Sequence, residues 1–136
     1  MRRFLNAKIH RATITDADID YEGSIALPPS LLTASGICPH EAVWVWDITN
    51  GARFETYVIA GVDAPALGSV ASICVNGAAA NLVNKGDLII IAAFCFIAAN
   101  EIAGHQPRVV FVDHMNHLKH IGQEQAFKSA RYKSAR

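Results

Sequence analysis

The sequence predicts a mainly β protein, a small closed β-barrel with short helices, and three observations carry that expectation. β-Branched residues alternate through "AKIHRATIT", two β-rich runs flank Asn50-Gly51, and "DLIIIAAFCF" is apolar on both faces, as a central strand would be. Turn signals separate the short strands, and closure would remove the exposed edges of such a sheet.

Taken in order, "AKIHRATIT" (7–15) is a strand on which Lys8 and His10 share a face, because side chains two apart point the same way. "DYEGSIAL" (20–27) turns at Gly23-Ser24, where glycine reaches unusual backbone angles and serine satisfies turn amides. Ser30 is the expected cap of a short helix through "LLTAS", with Pro28 and Pro29 at its entrance and Gly36 as its stop. "VWVWDITNGARFETYVIA" is a hairpin. With a loop of Asn50-Gly51 alone, Trp46 faces Glu55 and Trp44 faces Tyr57, with Arg53 on the same side.

"GVDAPALGSVAS" is loop-like, and "ICV" is a short strand ending at Asn76-Gly77. "AAANLVNKG" can form two helical turns closed by Gly86, and "RVVFVD" (108–113) is the expected last strand. Residues 1–113 thus read as one domain. Residues 114–136, with "HMNHLKH" and a twice-repeated "KSAR", read as a basic, solvated and mobile tail.

A chain of 136 residues, 51% of them hydrophobic, has enough apolar side chains for one domain's core. Twelve Lys and Arg balance twelve Asp and Glu, which removes any global pull toward nucleic acid or an anionic membrane. Cys38, Cys74 and Cys95 sit in apolar contexts without CxxC spacing, so they read as buried free thiols of a reducing compartment. "MRRFLNAKIH" lacks the apolar core of a signal peptide and "LIIIAAFCFIAA" is too short for a bilayer, so a cytoplasmic location is expected.

Individual residues leave alternatives open. His114, His117 and His120 would line one side of a helix, a spacing usable by a divalent metal, but no acidic or cysteine ligand accompanies them and no metal is assigned. Arg53 among aromatics suits a carboxylate or a salt bridge with Glu55, and Tyr57 suits proton donation or barrel filling. The backbone amides of "VNGAAA" form an anion site or a tight strand-to-helix connection.

Taken together, "KIHRATIT", "YEGS", "TNGARFETY" and "VNGAAA", in this order, resemble the bacterial aspartate 1-decarboxylase family over about residues 1–113. The resemblance implies a six-stranded double-psi β-barrel, a homotetramer with active sites between subunits, and a zymogen that cuts itself at Gly23-Ser24. Ser24 would attack the Gly23 carbonyl, and the ester would eliminate and hydrolyse to a pyruvoyl group, leaving a β chain (1–23) and an α chain (24–136).

The implied activity is decarboxylation of L-aspartate to β-alanine and carbon dioxide through a Schiff base, feeding pantothenate and coenzyme A synthesis. The chemistry needs an electron sink that no ordinary side chain supplies. By the resemblance, Thr56 stabilises the oxyanion of cleavage and contacts substrate, and Tyr57 donates the proton after carbon dioxide leaves. Arg53 and Lys8 bind the substrate carboxylate, Gly77, Ala78 and Ala79 line the site, and His10, Tyr21, Trp46 and Asn76 support it.

Some family members need a separate activator protein for maturation. The 61–72 loop is longer than the family's and the "KSAR" tail has no counterpart. A non-enzymatic barrel binding a small acid or a protein partner, with Gly23-Ser24 as a plain turn, is the competing reading.

Overall fold

The computed structural model describes residues 1–124. Its strands are β1 (Arg2–Thr13), β2 (Asp16–Asp18), β3 (Ser24–Leu27), β4 (Ala42–Asp47), β5 (Arg53–Ala60), β6 (Cys74–Asn76), β7 (Leu88–Ile97), β8 (Arg108–Val112) and β9 (Leu118–Gln123). Helix α1 spans Pro29–Ser35, and 3₁₀ turns cover Gly77–Leu82 and Ala99–Gly104. The mainly β expectation holds. Among the described residues nine strands are hydrogen bonded in the order β2-β6-β3-β5-β4-β7-β1-β8-β9. That is three strands more than the six expected.

Period-two burial explains the core. Ala7 and Ile9 of β1, Val43 and Val45 of β4, and Ile89, Ile91 and Ala93 of β7 all point inward and are buried. They pack with Ile25, Leu27, Leu31, Ile73 and Val75. β7 is central as expected, antiparallel to both β1 and β4. The outer face of β7 is less covered, Phe96 being 65% exposed.

Several local expectations are corrected. The β4–β5 register is Trp46 opposite Arg53, Trp44 opposite Glu55 and Ala42 opposite Tyr57, not Trp46 opposite Glu55. The loop is longer because Asp47 Oδ1 accepts the Thr49 and Asn50 amides at 2.9 and 3.1 Å, and the Gly51 amide reaches the Asp47 carbonyl. A shift of two keeps the same face, so Trp44, Trp46, Arg53 and Tyr57 still point one way.

Ser30 does not cap α1. It lies inside the first turn, and its amide donates to Asp63 Oδ1 at 2.9 Å, so the capping oxygen comes from the 61–72 loop. Gly36 does stop the helix, at φ +76°. The helix after Gly77 ends at Leu82 rather than at Gly86.

β8 is not the last strand. Asp113 Oδ1 accepts the Met115 and His117 amides, which turns the chain so that β9 pairs antiparallel with β8. Residues 114–123 are therefore a turn and an edge strand rather than a solvated extension, and their polar pattern is that of an edge. The "KSAR" repeats lie outside the described residues.

Candidate active site

Ser24 opens β3 and is 1% exposed, although Gly23 before it is open to solvent. Its hydroxyl donates to the Glu22 carbonyl at 3.0 Å and accepts from Asn76 Nδ2 at 3.0 Å. Antiparallel pairing of β3 with β6 sets Ser24 directly opposite Asn76. Asn76 is itself buried, and its Oδ1 accepts from Cys74 Sγ at 3.0 Å.

Gly77 follows at φ +73°. A Cβ there would stand 2.5 Å from Gly23 Cα and 2.7 Å from Gly23 N. Only glycine lets the end of β6 lie against the backbone leading into Ser24. The Tyr21 carbonyl closes the same corner, while the residue itself is 55% exposed. Ala78 is exposed and Ala79 packs partly against the core.

β5 runs parallel to β3, with Ile25 opposite Val58. Thr56 and Tyr57 therefore arrive beside the Gly23-Ser24 junction, Thr56 half-buried and Tyr57 exposed. The sheet thus gathers Gly23, Ser24, Thr56, Tyr57, Asn76 and Gly77 from three strands.

Lys8, His10, Trp46 and Arg53 belong elsewhere. Register places His120, Phe111, His10, Ile90, Trp46 and Arg53 in one row across β9, β8, β1, β7, β4 and β5. Along it His120 stacks on Phe111 at 4.3 Å, Phe111 meets His10 edge-on at 5.6 Å, and the Arg53 guanidinium lies 4.6 Å over Trp46. Lys8 pairs with Glu124 at 2.6 Å. Lys8, His10, Phe111, His120 and Gln123 together line a cavity of about 500 Å³.

Burial, then the Lys8 and Arg11 charges, holds His10 below its ordinary pKa, so the ring is neutral at pH 7. Among the described residues its Nδ1 and the Trp46 Nε1 are buried without a hydrogen-bond partner. β1 lies four places from β3 in the ladder, so Lys8 and His10 do not meet Ser24 within one chain.

The histidines of the 114–120 segment do not converge. His117 bonds the Ser69 carbonyl while His120 stacks on Phe111, and among the described residues no three His, Cys, Asp or Glu side chains gather as metal ligands. No helix of the described residues is long and apolar enough to cross a membrane.

Sequence reasoning passed over Cys74, because a cysteine in an apolar strand reads as packing and only the fold shows its thiol facing Asn76.

Residues 1–119 match the family model for aspartate decarboxylase. An aspartate 1-decarboxylase of Legionella pneumophila (strain Lens) is 57% identical over 123 residues, covering 90% of this chain and 89% of the relative. One from Rhodopirellula baltica is 48% identical across 90% of this chain and 76% of its own length. One from Syntrophus aciditrophicus is 48% identical, with 88% and 98% covered. Matches of this extent cover every strand from β1 to β8 and every residue gathered around Ser24, and on them the chain belongs to the aspartate decarboxylase family of enzymes.

Proposed function

We propose that this chain cuts itself between Gly23 and Ser24, carries the resulting pyruvoyl group at residue 24, and decarboxylates L-aspartate to β-alanine in the cytoplasm, supplying pantothenate and coenzyme A synthesis. The observation that carries the reading is a buried serine hydroxyl gripped by Asn76, next to a glycine backbone pressed against Gly77.

For cleavage, Ser24 Oγ forms a bond to the Gly23 carbonyl carbon, the peptide C–N bond breaks, and the hydroxyl proton ends on the freed nitrogen. Elimination then gives up the Cα proton of residue 24 to a base and breaks the ester's Oγ–Cβ bond, which leaves a carboxylate on Gly23 and a dehydroalanine that water hydrolyses to the keto group and ammonia. Thr56 faces the transient oxyanion as hydroxyl donor, the role in which a placed donor is worth about 3–4 kcal/mol of barrier.

The residues present fit the group, since Asn76 Nδ2 already addresses an oxygen at position 24 from a buried amide. The pyruvoyl carbonyl supplies the sink for the electrons left when carbon dioxide departs. Tyr57 delivers a proton to the former α-carbon, and Arg53, which lies in the row with His10 and Trp46, grips the substrate carboxylate in the site of a neighbouring copy. Gly77, Ala78 and Ala79 leave room for the substrate because they have little or no side chain.

Lys8 and His10, too far along the ladder to reach their own Ser24, serve the site of a neighbouring copy in a homotetramer. Their half-buried face, with the partnerless His10 Nδ1 and Trp46 Nε1, supports that assignment.

The test is the intact mass of the purified protein under denaturing conditions. Two fragments dividing after Gly23, the larger one carrying a keto terminus, are expected, and Ser24→Ala should remain whole and inactive. Turnover of aspartate by an undivided Ser24→Ala chain would refute the reading.

A further inference from the structure

We infer that Cys74 is a positioning residue for self-cleavage: its thiol fixes which way the Asn76 amide faces, and so which end of that amide meets Ser24. The inference rests on the self-cleavage reading above.

An amide side chain has one donor end and one acceptor end, and Asn76 is buried between two groups that accept either. On one side stands Cys74 Sγ, 3.0 Å from Oδ1. On the other stands Ser24 Oγ, 3.0 Å from Nδ2. The Ser24 hydroxyl could accept from the amide, as here, or donate to it after a flip. A protonated thiol biases that choice, because its S–H donates to Oδ1 whereas its sulfur is a poor acceptor for the amide NH₂, and this leaves Nδ2 to face Ser24. The Ser24 proton is then directed to the Glu22 carbonyl, 3.0 Å away.

The surroundings keep the thiol protonated. Parallel pairing of β2 with β6 places Asp16 opposite Cys74 and Asp18 opposite Asn76. Burial first, then these two carboxylates, raise the Cys74 pKa above its ordinary value, so at neutral pH the sulfur remains a donor. A thiolate there would attract the amide NH₂ and turn Oδ1 toward Ser24.

The order Cys74, Asn76, Ser24, Glu22 carbonyl is therefore a directed relay, in which each hydrogen bond sets the polarity of the next. It holds Ser24 Oγ in one rotamer with a donor on its lone pair, ready to lie over the Gly23 carbonyl. Cys74 touches neither reacting atom, so it acts through Asn76.

The experiment follows the division of newly purified wild-type, Cys74→Ser and Cys74→Ala chains by mass over time, with thermal denaturation recorded on each. Serine keeps a donor of similar reach and alanine keeps none. Cys74→Ala should divide roughly fivefold more slowly, the rate equivalent of one net neutral hydrogen bond, and Cys74→Ser should restore the wild-type rate.

Equal rates for wild type and Cys74→Ala overturn the inference while leaving self-cleavage standing. So does equal slowing of both variants, which marks packing rather than a donor. A wild-type chain that never divides, even after incubation with cell extract that could supply an activator, overturns the self-cleavage reading and this inference with it.

Discussion

Around Ser24 the polar groups form a closed set, whereas on the outer face of β1, β7 and β4 they stop short. Ser24, Asn76 and Cys74 satisfy one another within about one strand width, and both Ser24 and Asn76 are under 5% exposed. Across the molecule, Trp46 Nε1 and His10 Nδ1 are shielded from water yet have no partner among the described residues, and Phe96, further along β7, is 65% exposed. An orphaned buried donor costs about 1–3 kcal/mol, which a folded chain does not tolerate twice on one face without later relief. One region is finished by its own chain; the other keeps buried polar atoms without a partner among the described residues, as the proposed homotetramer requires.

The harshest way to break the finished region is Gly77→Ala. A methyl 2.5 Å from Gly23 Cα meets backbone, which cannot swing aside, and the +73° φ adds strain. A loss of about 3 kcal/mol or more in denaturant unfolding is expected, with cleavage abolished. A loss under about 1 kcal/mol would show the corner to be loose.

On the unfinished face, Trp46→Ala should weaken self-association by about 2 kcal/mol, roughly thirtyfold, because it removes a central aromatic. Sedimentation should then show a smaller particle at concentrations where the wild type is assembled. An unchanged particle would move the interface away from this face.

Asp47 sharpens the comparison by being an inward exception: it is 2% exposed and its Oδ2 has no donor among the described residues. Burial, then the hydrogen bond that a protonated Asp47 carboxyl donates to the neighbouring Asp87, raises its pKa, so the folded chain retains a proton that the unfolded chain has lost. Stability from this group is full below the unfolded value near about 3.9 and falls as pH rises through the raised folded one. Asp47→Asn should flatten that decline in denaturation midpoints taken from about pH 4 to 7.

Lys8→Ala should have the smallest effect on folding, within about 0.5 kcal/mol, since its partner Glu124 is half exposed and screened. Aspartate turnover should nevertheless fall, with cleavage intact. Equal loss of stability and turnover would assign Lys8 to the fold alone.

Much of this was legible in the residues, and the exceptions have causes. β1 and β4 announced themselves because inward positions alternate with polar or aromatic outward ones, and β7 because it is apolar on both faces. The Asn50-Gly51 turn was legible in kind but not in length, because the side chain of Asp47 lies before the turn and lengthens it by accepting two amides. β9 was missed because "LKHIGQ" carries little apolar signal, as an edge strand needs none on its outer side. At the site, Ser24, Asn76 and Gly77 were found through motif resemblance rather than periodicity. Cys74 lay outside any motif and became visible only once β6 placed it two residues from Asn76 on the same face.

β1 has a consequence for time as well as for shape. It lies between β7 and β8, bonded to both, and belongs wholly to the first 23 residues. A chain divided after Gly23 would therefore stay together, yet it would have become two molecules. Unfolding would then release a separate peptide, and refolding would depend on concentration as a meeting of partners does. The uncut chain can fold, fail and fold again, whereas the cut one has spent that freedom. The proposed cut would thus divide the protein's history into a reversible part and an irreversible one.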